Sequence, residues 1–218
     1  MSDLQCAATI LVARHGEAEY ESDRVSEDGG SLTLAGRAQA RELGVRLRER
    51  NVALVYASPL ARAVQTAEIV AGVLGCAVKI REGLREFGVG SLAGAVFSPA
   101  ISEVLAAWAA DDLTIGCPGA ETGEQLLSRY RAVLEELSDL HRGETVLVVS
   151  HAGVMSFMLP RLAPNLPTGR RLDHSLGNCS LVELSADADG WRCVSWPSGD
   201  SRRPSVAPTT EPFRAGGV

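Results

Sequence analysis

The chain has 218 residues, of which 45% are hydrophobic and 22% are charged, and these are the proportions of an ordinary globular protein. Its length suits one large domain, and its composition excludes collagen-like, fibrous and wholly disordered classes. Lys and Arg number 21 against 27 Asp and Glu, a net charge of −6 without a basic run, so we expect no binding to nucleic acid or to a membrane.

The cysteines and the N-terminal residues favour a location in the cytoplasm. No apolar stretch approaches the roughly 18 residues that span a bilayer, and residues 1–16 lack a basic lead before a long apolar region. The five cysteines are odd in number and form no C-x-x-C pair, which argues against a disulfide framework or a structural zinc site. We therefore expect a cytoplasmic protein with reduced thiols.

Four short apolar segments predict buried β-strands. Each is a continuous apolar run rather than an alternation of apolar and polar residues, as is typical of parallel strands that are covered on both faces. In chain order they are residues 9–13, 52–57, 76–80 and 145–149.

Amphipathic helices are predicted between these strands. The first covers residues 34–50 and has Thr33 as its N-cap. The second begins with Ser58 as the N-cap and Pro59 at the first helical position, where both residue types are favoured. The buried stripe expected for this second helix consists of Leu60, Val64, Ala67, Ala71 and Leu74.

Two more helices complete the predicted pattern, one over residues 121–141 and one after His151. Strands that alternate with helices along a chain indicate an α/β domain whose strands run mainly parallel. The sequence therefore predicts a three-layer α/β/α fold, with a mainly parallel sheet flanked by helices.

Two regions depart from this alternation. Residues 87–120 form a Gly- and Ala-rich insertion with one predicted helix over residues 99–110, which we interpret as a lid over the end of the sheet. From residue 196 onward the chain is rich in Pro, Ser, Gly and Thr, the composition of a loosely held tail. The predicted organisation is a single domain over residues 1–195 followed by a tail over residues 196–218.

Reactive side chains follow the predicted strands. Arg14 and His15 come directly after the first strand and His151 follows the fourth, and ligands of open parallel sheets bind at this carboxyl edge. Arg62 lies in the first turn of the second helix, and its side chain can lean back toward the same edge. Two guanidinium groups beside helix N-termini favour an anion, and phosphate matches a guanidinium best. We expect no metal there.

Six motifs, in this order along the chain, resemble those of the histidine phosphatase superfamily, phosphoglycerate mutase-like branch. The resemblance extends from residue 9 to about residue 184 and includes Asn178-Cys179-Ser180, which is similar to the late Asn-x-Ser strand of that family. The motifs are V-A-R-H-G-E at 12–17, L-T-x-x-G-R-x-Q-A at 32–40, S-P-L-x-R-x-x-Q-T-A at 58–67, L-x-E at 84–86, P-G-x-E-T at 118–122 and V-S-H-x-G-V at 149–154.

The resemblance implies a phosphoryl-transfer enzyme that uses no cofactor. His15 would attack phosphorus through a neutral ring nitrogen and form a phosphohistidine that water hydrolyses, so its other ring nitrogen must carry the hydrogen. Arg14, Arg62 and His151 would hold the phosphoryl oxygens and offset their charge in the transition state. Glu86 would donate a proton to the leaving alkoxide and later accept one from the attacking water.

The chain also departs from the family pattern near the nucleophile. Many members have an Asn about six residues after it, where this chain has Glu21, whose carboxylate would repel phosphate and is expected to point away. Arg24 is a candidate for the missing contact, with a solvated loop arginine as the alternative. Ala152 replaces the usual glycine after the second histidine, and we count Glu17, Arg24 and Ala152 as further candidate phosphate-binding residues.

The insertion bears on the reaction type. No Lys or Arg lies between Phe87 and Ser128, whereas the mutases of the family place basic residues in this segment to hold the second anionic end of phosphoglycerate. We therefore expect a phosphatase that acts on small phosphomonoesters whose remainder is neutral or apolar. A mutase-type phosphotransferase and a non-catalytic module that binds a phosphate ligand are the alternatives, and monomer and homodimer are equally compatible with the sequence.

Apolar residues of the insertion have two interpretations. They either line the substrate pocket or pack the insertion onto the core. The residues concerned are Leu92, Val96, Phe97, Ile101, Val104, Leu105 and Trp108.

Overall fold

A computed structural model describes residues 6–19, 29–95, 98–166 and 176–197. Its strands are β1 (Ala8–Arg14), β2 (Val52–Ala57), β3 (Val78–Ile80), β4 (Thr145–Ser150), β5 (Leu181–Asp187) and β6 (Gly190–Ser195). They form one sheet in the order β3-β2-β4-β1-β5-β6. The pairs β1–β4, β2–β4 and β2–β3 are parallel and the pairs β1–β5 and β5–β6 are antiparallel, which confirms the mainly parallel sheet.

The helices cover both faces of this sheet. They are α1 (Leu34–Arg46), α2 (Ala61–Leu74), α3 (Pro99–Ala109), α4 (Gly123–Leu140) and α5 (Ala152–Leu162). The buried residues of α1 and α2 share one core with alternate residues of β1, β2 and β4, and those of α3, α4 and α5 share a second core with the intervening residues. The predicted three-layer α/β/α fold is therefore confirmed.

The middle residues of β1 and β4 are apolar because both faces of these strands are buried. The prediction of a buried strand over residues 76–80 is wrong, because β3 lies at the edge of the sheet and is half-buried to exposed. In β1, Ile10 and Val12 belong to one core and Leu11 and Ala13 to the other, and all four are fully buried. The two cores explain why the sequence shows continuous apolar runs rather than alternation.

The start of α2 differs from the prediction. Its first helical residue is Ala61 and its N-cap is Leu60, whose side chain makes no capping hydrogen bond, so Ser58 and Pro59 were wrongly assigned to the helix start. The hydroxyl of Ser58 turns instead toward the edge of the sheet. Of the predicted stripe, Leu60, Ala67 and Ala71 are buried and are confirmed, whereas Val64 and Leu74 are only half-buried. Ala63 and Val70, which the stripe did not include, are buried in their place.

The insertion packs onto the core through α3, which lies within one residue of its predicted bounds. Ile101, Val104 and Trp108 are buried in the same core as α4 and α5, and Leu92 and Leu105 pack against it half-buried. The structure thus shows these five residues packed on the core. Val96 and Phe97 lie outside the described residues. The carboxyl end of α3 is tied to α5, because Arg161 donates hydrogen bonds to the Trp108 carbonyl and to Asp111.

The antiparallel edge of the sheet is a β5–β6 hairpin that the strand predictions did not include. Its residues alternate between buried and half-buried along β5, since only one face packs on the core. The Asn165 side chain pairs with both backbone groups of Cys193 in β6. No helix in the described part of the chain is both long enough and apolar enough to cross a membrane.

Candidate active site

Two histidines meet at the carboxyl edge of the sheet because β1 and β4 are parallel neighbours. Arg14 and Ser150 end these strands at the same level. The residues that follow them, His15 and His151, therefore lie side by side, with ring centroids 5.2 Å apart. Both residues are buried, with 3% and 1% of their surface exposed, respectively.

The hydrogen bonds of the His15 ring define its tautomer. Nδ1 lies 2.7 Å from the carbonyl oxygen of Gly16, and because a carbonyl oxygen can only accept, Nδ1 carries the hydrogen. Nε2 accepts a 3.1 Å hydrogen bond from Nε of Arg62, so this nitrogen carries the lone pair. The ring is therefore a neutral imidazole whose basic nitrogen faces Arg62.

Burial lowers the pKa of His15 to about 3. The hydrogen bond to the Gly16 carbonyl opposes this shift, and the positive charges of Arg62 and Arg14 add to it. The pKa of His151 is also lowered well below its usual value, first by burial and then by the charge of Arg62. Both rings are consequently neutral near pH 7.

We expect the low pKa of His15 to make the fold sensitive to acid. In the unfolded chain this histidine titrates near pH 6.5, so below that pH the unfolded state binds the extra proton and the free energy of unfolding falls as pH decreases. Between pH 7 and pH 5 the loss from this group alone is about 2 kcal/mol. Urea titrations of wild type and His15→Asn across this range should show a smaller loss in the variant, and parallel pH curves would contradict the buried neutral ring.

The second histidine is oriented by the residue that follows β2. Nε2 of His151 lies 2.8 Å from the hydroxyl oxygen of Ser58, and this hydroxyl also accepts a hydrogen bond from the N–H of Leu60. The other ring nitrogen, Nδ1, is buried and has no hydrogen-bond partner among the described residues. Ser58 is thus a site residue that sequence reasoning assigned to another role, although its place after a central strand was a usable signal.

Arg62 is held next to the end of β1 by a hydrogen bond to its main-chain carbonyl and by the close packing of a glycine against its side chain. The Thr66 hydroxyl accepts the N–H of Gly16 and donates to the Arg62 carbonyl, at 3.0 and 2.7 Å. Gly29 has a φ of +62° and packs so tightly that an added Cβ would lie 1.9 Å from Nη1 of Arg62. The buried guanidinium is therefore held beside His15 rather than extended into solvent.

Arg14 is anchored by the segment that precedes β5. Its Nη1 donates a 2.7 Å hydrogen bond to the Leu176 carbonyl, and its own carbonyl accepts from the N–H of Cys179. The Asn178 side chain donates to the His15 carbonyl at 3.2 Å. Nε of Arg14 is buried and lacks a hydrogen-bond partner within the ranges that the structure describes.

Glu86 points its carboxyl group at the N-terminus of α5. Oε1 accepts the N–H groups of Val154 and Phe87, and Oε2 accepts that of Gly153, at 2.6, 3.1 and 2.9 Å. Burial raises the pKa of Glu86, while these three N–H groups and the charge of Arg62 oppose the rise. Because α5 begins directly after His151, the helix N-terminus that binds the Glu86 carboxyl lies next to the second histidine in the chain.

The remaining candidates lie in different surroundings. The Glu17 carboxylate accepts a 2.7 Å hydrogen bond from the Thr33 hydroxyl at the start of α1 and is exposed. Ala152 is half-buried and is the first residue of α5. Glu21 and Arg24 lie outside the described residues.

A cavity of about 450 Å³ opens beside Glu86. Its walls are residues 82–88 without Leu84, together with Leu60, Glu121 and Arg129. Arg129 lies on α4, more than 40 residues from the Glu86 loop that it contacts, and no local pattern in the sequence identifies it. In the described ranges, no three His, Cys, Asp or Glu side chains are close enough together to hold a metal ion.

The chain is similar to known proteins over most of its length. Residues 10–198 match the family model of the histidine phosphatase superfamily (branch 1). Phosphoglycerate mutase-like protein 4 of Arabidopsis thaliana is 32% identical over 197 residues, which are 87% of this chain and 84% of that protein. Probable phosphoglycerate mutase GpmB of Salmonella choleraesuis (strain SC-B67) is 27% identical over 194 residues, 86% of this chain and 89% of that protein.

A solved structure with a similar fold is that of mycobacterial glucosyl-3-phosphoglycerate phosphatase in complex with VO3. It has a TM-score of 0.72 and 26% sequence identity, and the match covers 86% of this chain and 98% of that chain.

Proposed function

The chain belongs to the histidine phosphatase superfamily (branch 1), and we propose that it is a metal-independent phosphatase of small phosphomonoesters that works through a phosphohistidine on His15. The observation that carries the proposal is the state of the His15 ring. A neutral imidazole with Nδ1–H on the Gly16 carbonyl presents Nε2 as the nucleophile, beside a buried guanidinium. In the reaction, a phosphoryl oxygen takes over the Arg62 N–H and frees that lone pair to attack phosphorus.

The charges around His15 support the binding of a phosphoryl group. Arg14, Arg62 and His151 surround the nucleophile, and their cationic or N–H groups offset the charge on the oxygens in the transition state. Two buried nitrogens, Nε of Arg14 and Nδ1 of His151, have no hydrogen-bond partner in the described part of the chain. Buried polar atoms are nearly always paired, so phosphoryl oxygens are suitable partners for both.

Glu86 is the proposed proton donor. Its raised pKa favours retention of the proton that a leaving alkoxide needs. Glu86 is one of the residues that line the cavity, and we assign this cavity to the alcohol portion of the ester. After the alcohol departs, the same carboxylate accepts a proton from the water that hydrolyses the phosphohistidine.

The cavity supports a substrate whose alcohol portion is uncharged. Its two cations face carboxylates: Arg129 forms a bidentate pair with Glu121, and Arg85 lies 3.8 Å from Glu82. The mutase-like names of two relatives favour a phosphoglycerate mutase-type phosphotransferase as a second candidate. A mutase has to retain an anionic intermediate in its site. Arg129 and Arg85 suit that task poorly, because their charges are already paired with carboxylates.

The test is phosphate release in excess EDTA from p-nitrophenyl phosphate, benzyl phosphate, sugar phosphates, nucleoside monophosphates and 3-phosphoglycerate. We expect phosphate release to be unaffected by EDTA. Release should be faster from the phosphate esters of uncharged alcohols than from 3-phosphoglycerate. Loss of activity in EDTA would contradict the metal-independent mechanism. Interconversion of 2- and 3-phosphoglycerate without phosphate release would establish the mutase, and phosphate binding without any turnover would indicate a binding module.

A further inference from the structure

We propose that Arg129 is a positioning residue for the proton donor, because its guanidinium group, oriented by Glu121, fixes the main chain that carries Glu86. The inference rests on the proposed function, in which Glu86 protonates the leaving group. Arg129 forms no hydrogen bond with His15 or with the three groups that are proposed to hold the phosphoryl oxygens, and its charge makes only a lesser contribution to the lowered pKa of His151. Its hydrogen bonds, in contrast, all go to Glu121 and to the loop of Glu86.

The guanidinium of Arg129 is fully used within the molecule. Nη1 donates to the carbonyl oxygens of Gly83 and Arg85, at 2.8 and 2.9 Å, and Nη2 donates to that of Glu86 at 3.1 Å. Nε and Nη2 also donate to the two carboxylate oxygens of Glu121, at 2.7 and 2.6 Å. These contacts account for all five N–H donors of an arginine side chain.

The contacts matter because three carbonyl groups of the loop around Glu86 accept hydrogen bonds from this one side chain. The loop contains a short 3₁₀ turn, Glu82–Leu84, and no strand pairing. Its Leu84 is buried in the core, and the Leu84 carbonyl accepts a hydrogen bond from the Ser150 hydroxyl. The loop also sits close to α4, since a Cβ on Gly83 would lie 2.5 Å from Val133. Arg129 therefore fixes the loop at its backbone, while the N-terminus of α5 fixes the Glu86 carboxyl.

Position rather than charge is the expected route of the effect. The positive charge of Arg129 is balanced by Glu121 at hydrogen-bond distance, and its contacts in the loop are all to main-chain carbonyls. Proton transfer requires the donor within hydrogen-bond reach of the leaving oxygen, and a displacement of about 1 Å can cost about 100-fold in rate. Loss of Arg129 should therefore slow the hydrolysis of those esters whose leaving group needs a proton.

The experiment compares two esters that differ in their need for a proton. Benzyl alkoxide is a poor leaving group, whereas p-nitrophenolate leaves without protonation. For Arg129→Ala we expect kcat/KM, which covers the steps up to departure of the alcohol, to fall by about 30- to 100-fold for benzyl phosphate and by less than about 3-fold for p-nitrophenyl phosphate. Turnover of p-nitrophenyl phosphate also reports that the variant is folded.

Further variants separate geometry from general damage. Arg129→Lys keeps the charge but cannot span three carbonyls, so it should lose most of the benzyl phosphate activity. Glu121→Gln keeps the shape, serves if Arg129→Ala does not fold, and should lose about 5- to 10-fold on benzyl phosphate alone. The matched controls are Arg131→Ala on the same helix and Glu136→Gln, which breaks the ion pair with Arg81, and both should behave as wild type.

The outcomes distinguish this inference from the proposed function. Equal losses on both esters, no loss, or full activity in Arg129→Lys would each overturn the positioning role. Glu86→Gln is measured in parallel: if it discriminates between the esters and Arg129→Ala does not, only the positioning role fails. If Glu86→Gln does not discriminate either, Glu86 is not the proton donor and the inference falls with it.

Discussion

His15→Asn is expected to lose phosphatase activity by at least about 10⁴-fold, because the variant has no nucleophile in place of Nε2. The asparagine amide can still donate to the Gly16 carbonyl, which is the partner of Nδ1 in the wild type. The variant thus removes the nucleophilic nitrogen and leaves the local hydrogen bond in place. A generic disturbance of the strand end is therefore not the expected cause of the loss.

The covalent intermediate provides the direct measurement. Wild-type protein quenched in base during turnover of p-nitrophenyl phosphate should carry the mass of one phosphoryl group, and His15→Asn should carry none. His141→Asn is the matched control, because that histidine contacts Tyr56 and Glu144 away from the site and should remain active and labelled. A labelled or active His15→Asn protein would assign the nucleophile to another residue.

Glu86→Gln is expected to slow the hydrolysis of benzyl phosphate by about 10²- to 10⁴-fold, because the amide cannot supply the proton for the leaving alkoxide. Both rates are compared as kcat/KM, which covers the steps up to departure of the alcohol and excludes the later hydrolysis of the phosphohistidine that both esters share. For p-nitrophenyl phosphate this value should fall by less than about 10-fold, since the leaving group needs no proton. The amide has one acceptor oxygen where the carboxylate accepts three N–H groups, so we also expect a stability loss of about 1 kcal/mol.

Glu82→Gln is the matched control for that measurement. Glu82 lies in the same loop and lines the same cavity, but its side chain is largely exposed. It should leave the ratio of the two rates unchanged. An equal slowing of both esters in Glu86→Gln would remove the general-acid role from Glu86.

The central strands were predictable because a strand that is buried on both faces appears in the sequence as a continuous apolar run. The run at residues 145–149 is β4 to within one residue, and residues 52–57 are β2. The β5–β6 hairpin leaves a weaker trace because only alternate residues of β5 are buried. Asp189-Gly190, where the turn joins the first residue of β6, is a dipeptide typical of turns and helps to find the hairpin.

The place of a site residue in the fold could be predicted from the sequence where that residue directly follows a central strand or begins a helix. Arg14 and His151 could be assigned to one edge because each adjoins a central strand. Ser58 was assigned to a helix start because the N-cap preference is local, whereas its bond to His151 depends on a residue 93 positions away. Arg129 had no local signal, since its partners in residues 83–86 become neighbours only after the domain has folded.

The sheet order also determines when the site can form during synthesis. β1 is the first strand to be made, yet its neighbours in the sheet are β4 and β5, so it has no pairing partner until the chain has grown beyond residue 150. At about 5–20 residues per second, the ribosome needs on the order of ten seconds to supply that partner. Throughout that interval both edges of the apolar segment that leads to His15 are unpaired, and unpaired strand edges are templates for pairing with other chains.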